Sequence, residues 1–255
     1  MNGWPWPMHG IPHQVAWFRR GDSARVVAAT DIAEDSVLVP WKFRAEMFLQ
    51  RDFDQPARMV AGSGRGIYRF GMLVPRDSTL ASIELVATNL TTGRARLGTG
   101  MPPMPNQRVT MSDILLVEPW AQLPANLAEA ESRSFGKTTF EAGSQIGIFW
   151  EVYGLSARER PRMTVVAERE RGSLLGGLFG SIFSRAQVDS AGVQWEEGPS
   201  AGRDIEPGAV NLSLGLLVPG NYTLSVAVEV PGQQRTVVRR QIQIVRKPSQ
   251  GVEIH

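Results

Sequence analysis

The sequence predicts an all-β protein of two immunoglobulin-like or fibronectin-like β-sandwich domains, the second carrying a short helical insert. Three observations lead there. Apolar and β-branched runs are short and end in Pro, Gly, Asn or Asp, at spacings of about 8–12 residues. No strand–helix alternation interrupts them, which sets aside a parallel α/β sheet. The chain also repeats part of itself. The stretch FGMLVPRDSTLASIELVAT from Phe70 matches LGLLVPGNYTLSVAVEV from Leu214, sharing an apolar strand, Leu-Val-Pro, a polar turn, Thr-Leu and an alternating strand. That offset exceeds any solenoid period, so a domain is duplicated or a hairpin reused. At 255 residues, 42% hydrophobic and 20% charged, the chain can bury two cores.

In chain order, residues 1–13 form an aromatic, Pro-rich arm, where Trp4 and Trp6 sit beside prolines and so cannot be helix interior. Residues 14–120 hold the first sandwich, with strands at 14–19, 25–32, 58–61, 68–74, 82–88, 94–99 and 113–117. Residues 121–132 read as an Ala- and Glu-rich linker or short helix. Residues 133–248 hold the second sandwich, with strands at 145–153, 162–168, 188–195, 210–216, 222–230 and 236–245. Alternation is clear in the last two: Tyr222, Leu224, Val226 and Val228 face one way, Thr223, Ser225, Ala227 and Glu229 the other. Pro219, Gly220 and Asn221 predict a turn, Pro presetting φ and Gly or Asn accepting φ > 0. Tyr222 is then placed to bond back to that backbone as a tyrosine corner. Gly62-Ser63-Gly64-Arg65-Gly66 reads as a hairpin tip, since it lacks the Lys-Ser/Thr of a phosphate loop.

Composition excludes several function classes. Twenty-seven Lys+Arg oppose 25 Asp+Glu, a net charge of +2, which lacks the clustered positive charge of a nucleic-acid surface. Cysteine is absent, which removes disulfides, thiolate metal sites and Cys nucleophiles. The three histidines, His9, His13 and His255, lie near the two ends. His9 and His13 have helical ligand spacing, but Pro12 lies between them and no third ligand follows. No catalytic, cofactor-binding or metal-binding residue is expected. No run approaches the ~20 apolar residues of a membrane span, and the N-terminus lacks the basic and apolar regions of a signal peptide.

One segment breaks the β pattern. Between Arg171 and Arg185, Leu174, Leu175, Leu178, Phe179, Ile182 and Phe183 fill one half of a helical wheel. Glycines and serines fill the other, and Gly172, Gly176, Gly180 and Ser184 repeat every four residues, a pattern that lets helices approach closely. Four glycines make a poor helix alone, at about 1 kcal/mol each relative to Ala. Burying six large apolar side chains offsets that by on the order of 10 kcal/mol. The insert at 172–185 therefore needs cover: its own sandwich, a partner or a lipid surface.

Ser112-Asp113-Ile114-Leu115-Leu116 and Phe149-Trp150-Glu151-Val152-Tyr153-Gly154-Leu155 resemble two stretches of the bacterial proteins named for a GWxTD motif, and Trp17-Phe18-Arg19-Arg20-Gly21-Asp22-Ser23 is similar to the start of that family's β-rich tail. The naming motif itself is absent. The resemblance implies an extracytoplasmic, periplasmic, non-catalytic β-sandwich protein and carries over no active-site residue.

Together these readings predict a structural or accessory subunit, peripheral to a membrane, that docks on the protein subunits of a larger membrane-associated assembly, photosynthetic or respiratory complexes being the candidate class. The expected contacts are Trp4, Trp6, Leu174, Leu175, Leu178, Phe179, Ile182 and Phe183. An envelope-polymer- or carbohydrate-binding module is the first alternative, although only three tyrosines are available to line a groove. An enzyme with an unrecognised site is the second.

Overall fold

A computed structural model describes residues 9–33, 42–50, 56–63, 66–87, 90–102, 108–170 and 189–247. The first half contains β1 (His9–Gly10), β2 (His13–Arg20), β3 (Ser23–Asp31), β4 (Lys42–Leu49), β5 (Arg58–Ser63), β6 (Ile67–Pro75), β7 (Thr79–Ala87) and β8 (Leu90–Gly100). They form a three-stranded sheet, β2-β3-β6, and a five-stranded sheet, β1-β8-β7-β4-β5. The second half contains β9 (Thr110–Met111), β10 (Leu115–Val117), α1 (Leu127–Ser132), β11 (Thr139–Glu141), β12 (Gln145–Tyr153), β13 (Arg162–Arg169), β14 (Ser190–Glu196), β15 (Ile205–Ser213), β16 (Gly220–Glu229) and β17 (Thr236–Val245). Its sheets are β10-β12-β15, with β9 also on β12, and β11-β17-β16-β13-β14. The plan is the same twice: a small sheet faces a five-stranded one, and a short strand, β1 or β11, joins the edge of β8 or β17 in parallel. The other pairings are antiparallel, and the all-β sandwich architecture expected from the sequence is what the chain adopts.

Each sandwich has its own core, drawn from both of its sheets. Trp17, Val26, Ala28, Phe70, Met47, Ile83 and Leu85 fill the first. Ile148, Trp150, Val165, Tyr222, Leu224, Val226 and Ile242 fill the second. In the second sandwich Gly208 lies opposite Trp150, and a Cβ there would stand 2.4 Å from the indole, so only glycine leaves room for the ring.

A third cluster joins the two sandwiches. Ala16, Phe18 and Val27 point out of the back of the first small sheet. They meet Leu115, Val117 and Phe149 from the back of the second, with Leu127 and Ala130 of α1 alongside. The Phe18 and Phe149 rings lie 6.0 Å apart. Strands buried on both faces lose their alternation and read as continuous apolar runs. That accounts for the uninterrupted burial of 146–153 and 115–117, whereas β13, covered on one face, keeps the two-residue period.

The repeated Leu-Val-Pro stretch is one corner used twice. It carries β6 into β7 in the first sandwich and β15 into β16 in the second, each time passing from the small sheet to the large one. The Tyr222 hydroxyl donates to the Val218 carbonyl at 2.8 Å, the corner bond expected from sequence. The turn beside it differs. Gly220 and Asn221 are already in β16, and neither takes a positive φ.

Other expectations are corrected by strand pairing. Thr110–Met111 and Leu115–Val117, read as the end of the first sandwich, pair with β12 of the second. The sheets therefore divide ahead of residue 110, not at 119–132. Strand β15 begins at Ile205, five residues before its expected start at 210, because its outer pairs with β12 run through Pro207 and Gly208. β5 and β6, on either side of the hairpin tip expected at Gly62 to Gly66, belong to different sheets and do not pair as a hairpin. Within the expected linker, α1 is capped by Asn126, whose side chain accepts from the Glu129 N–H at 3.0 Å while Glu129 accepts from the Ala125 N–H at 2.9 Å.

Candidate functional site

The densest polar chemistry lies along the free edge of β2. An edge strand presents unpaired N–H and C=O groups that invite another strand. Here the second sandwich caps them one by one. The Arg240 guanidinium donates to the Val15 carbonyl at 2.5 Å. Asp113 accepts from the Trp17 N–H through its carboxylate and donates to the Trp17 carbonyl through its own N–H, both at 3.1 Å. The Tyr153 hydroxyl accepts from the Arg19 N–H at 2.9 Å. That hydroxyl donates to Glu151 at 2.9 Å, and Glu151 also receives a two-pronged Arg20 at 2.7 and 2.8 Å. On the neighbouring strand position, the buried Gln14 amide donates to the Leu116 and Phe135 carbonyls and accepts from the Leu116 N–H.

These groups carry the electrostatic marks of burial. Burial pushes the Asp113 carboxyl up, with Arg240 and the Trp17 N–H pulling against it. Burial pushes the Arg240 guanidinium down, opposed by Asp113. The Tyr153 phenol is driven well above its ordinary range by burial and by the adjacent Glu151 charge. For Arg20, burial disfavours the charge, and the Glu151 carboxylate more than restores it. Every one of these titratable groups already holds a structural partner, which fits a clamp between domains better than an acid–base pair poised for substrate.

Beside this seam is an open cleft of about 980 Å³ between the two sandwiches. Ile11 to Val15, Leu97 and Thr99 line it from the first sandwich, and Thr139, Glu141, Arg239, Arg240, Gln241 and Arg246 from the second. Lys137 lies in the same wall, 3.6 Å from Asp31. A smaller pocket of about 340 Å³ lies at the far end of the second sandwich, over Trp150, Met163 and Pro207.

All eight residues expected to make contacts, Trp4, Trp6, Leu174, Leu175, Leu178, Phe179, Ile182 and Phe183, lie outside the described residues. The positions from which they leave the fold are described. The arm precedes β1 at the edge of the first large sheet. The insert separates β13 from β14 in the second, where Arg169 and Asp189 close its base with a backbone bond of 2.9 Å and an ion pair at 3.6 Å. His9 and His13 fall in β1 and β2, and no group of three or more metal-capable side chains occurs among the described residues. Asn211 is engaged internally, exchanging bonds with the Trp120 backbone at 2.6 and 3.3 Å. Sequence reasoning missed Gln14, Glu151 and Arg240 as a joint feature. The signal available was the set of three stretches, around Trp17, Asp113 and Glu151, that carried the family resemblance and that meet in this seam.

No protein-family model matches the chain, and no curated protein is similar to it. Solved structures similar to it include red sea bream transglutaminase, at 10% identity and a TM-score of 0.27 over 92% of this chain and 31% of that one. Another is a protein from Corynebacterium diphtheriae described as membrane anchored, at 9% identity and a TM-score of 0.28 over 94% of this chain and 60% of that one. The chain thus spans about a third and three-fifths of those proteins, and neither likeness is close enough to bear on function. Among the described residues no helix is long and apolar enough to cross a membrane.

Proposed function

We propose that this protein is a non-catalytic structural subunit of the extracytoplasmic space that docks, through its N-terminal arm and apolar insert, on a larger membrane-associated protein assembly. The observation that carries this reading is the seam. Two sandwiches held by a shared apolar cluster and a capped strand edge form a stiff spacer, and the arm and insert depart from its two large sheets. Such a body holds two adhesive segments at a fixed separation, which is what a bridging subunit requires. The resemblance to the β-rich tails of GWxTD proteins supports the same compartment and the same absence of catalysis.

The test replaces Leu178, Phe179, Ile182 and Phe183 with Ser in the full chain. Native pull-down from membrane and soluble extracts, read by mass spectrometry, is set beside thermal unfolding of the isolated protein. The proposal requires reproducible membrane-fraction partners that the variant loses while its unfolding midpoint holds. Loss of several kcal/mol of stability in the variant makes the insert core and refutes its docking role.

A further inference from the structure

We infer that the cleft between the sandwiches is a second docking surface, a groove for an extended acidic segment of a partner protein. The inference deepens the docking reading and rests on it only for the existence of a protein partner. The cleft has the right walls for a strand. β11 covers β17 only at Gln243–Val245, so the edge at Arg239 to Gln241 is open among the described strands. β1 covers β8 only at Gly93 and Arg94, leaving Leu97 and Thr99 in the opposite wall. An incoming extended chain finds unpaired backbone along an edge, the usual basis of strand addition.

The charge of the cleft selects the partner. Arg239, Arg240 and Arg246 face two carboxylates, Asp113 and Glu141, and Asp113 is already engaged by β2, while Lys137 in the same wall is held by Asp31. Arg239 and Arg246 are exposed and form no ion pair with a described residue, in contrast to Arg20, Arg25, Arg44, Arg69 and Arg94, each held by a glutamate. Arg240 is already engaged by the Val15 carbonyl and by Asp113, so it adds positive charge to the wall without a reachable free donor. The exposed guanidinium groups of Arg239 and Arg246 are the ones placed to take a carboxylate. Asp or Glu at alternate positions of a bound strand would present its carboxylates on one side of the sheet, the side of Arg239, whereas Arg240, the next residue of β17, points to the other.

The probe is a phage-displayed library of random decapeptides selected on the immobilised full-length protein, followed by anisotropy with the enriched peptides. Expected are Asp or Glu at alternating positions, at least a tenfold loss of affinity in R239E/R246E, and weakening as salt rises from about 50 to 300 mM. The unfolding midpoint should stay unchanged, since neither arginine supports the fold, and R239Q/R246Q should show a smaller loss in the same direction. The insert variant must keep the peptide affinity, which separates failure here from failure of the insert's role. Failure to enrich peptides, enrichment of non-acidic peptides, or affinity insensitive to both arginine variants overturns the inference. Equal competition by inorganic phosphate reduces the groove to a simple anion site and overturns it too. So does arginine-dependent binding to phosphatidylglycerol vesicles without peptide selection, which would make the groove a lipid contact.

Discussion

Gly136→Ala isolates the seam with a single methyl group. Gly136 packs against the backbone of the other sandwich, and a Cβ there would stand 2.2 Å from the Thr30 carbonyl carbon and the Asp31 nitrogen, where ordinary contact begins at 3.4 Å. Backbone cannot rotate aside as a side chain can, so the two units must part by more than 1 Å at this point. The Gly136 φ is not positive, so conformational strain contributes little and the effect is steric. Overpacking of this kind costs about 1–3 kcal/mol. Parting also lengthens the 3.1 Å bond from the Asp31 N–H to the Gly136 carbonyl and strains the Lys137–Asp31 pair, adding about 1 kcal/mol. Urea unfolding of the full chain should therefore show a loss of about 2–4 kcal/mol. A second transition, or a smaller m-value, is expected as the sandwiches uncouple. Gly198→Ala, with no atom within 4 Å of the added carbon, is the control and should stay within about 0.5 kcal/mol. A Gly136→Ala protein as stable as that control, with one unchanged transition, would refute the seam as a tight joint.

Other perturbations reach the same structure by different routes. Tyr222→Phe removes the corner bond to Val218 and leaves that carbonyl without its partner, so thermal unfolding should report a loss of about 1–2 kcal/mol with unchanged far-UV circular dichroism. Glu151→Ala strands Arg20 and the Tyr153 hydroxyl at the seam and should cost about 3 kcal/mol by urea titration, with Glu151→Gln losing less because it keeps an acceptor. All three tyrosines, Tyr68, Tyr153 and Tyr222, have phenols held above their usual range, with burial the largest cause in each. A phenol is neutral when protonated, so the native state retains protons that the unfolded chain releases near pH 10, and stability falls as pH rises beyond about 10. Phenolate absorbance should therefore rise together with alkaline unfolding; an earlier, independent titration of all three would contradict their burial.

How much of this was legible depended on how each strand is covered. β13, β16 and β17 keep an alternating side toward one core and could be read from periodicity. β4, with the sequence KFRAEMFL, has no β-branched residue, and all but its two phenylalanines are better helix than strand formers, so its propensity gives a weak strand signal. β11 is three residues long and exists through its pairing with β17. β15 contains Pro207 and Gly208, which read as breakers, yet Pro207 lies in a strand with β12 on one side only, and Gly208 is required by the Trp150 ring. The seam was illegible for a different reason. Gln14, Asp113, Glu151 and Arg240 are scattered over more than 200 residues and look like ordinary polar positions until the two small sheets stand back to back. The cleft arginines are invisible in a net charge of +2, since charge counts carry no position.

The capped edge of β2 also sets an order on biosynthesis. The last cap of the strand, Arg240, follows 225 positions after Val15, so it is synthesised long after the strand itself. At the usual ~5–20 residues per second, the first sandwich waits roughly 10–45 seconds with an unprotected row of backbone groups. During that interval nascent chains on the same message are one another's nearest available strands. A chain stopped short of β17 would carry that exposure permanently, so truncated products should aggregate edge to edge even where the first sandwich has folded. Chaperone dependence should then track the length of the exposed interval more closely than the final stability.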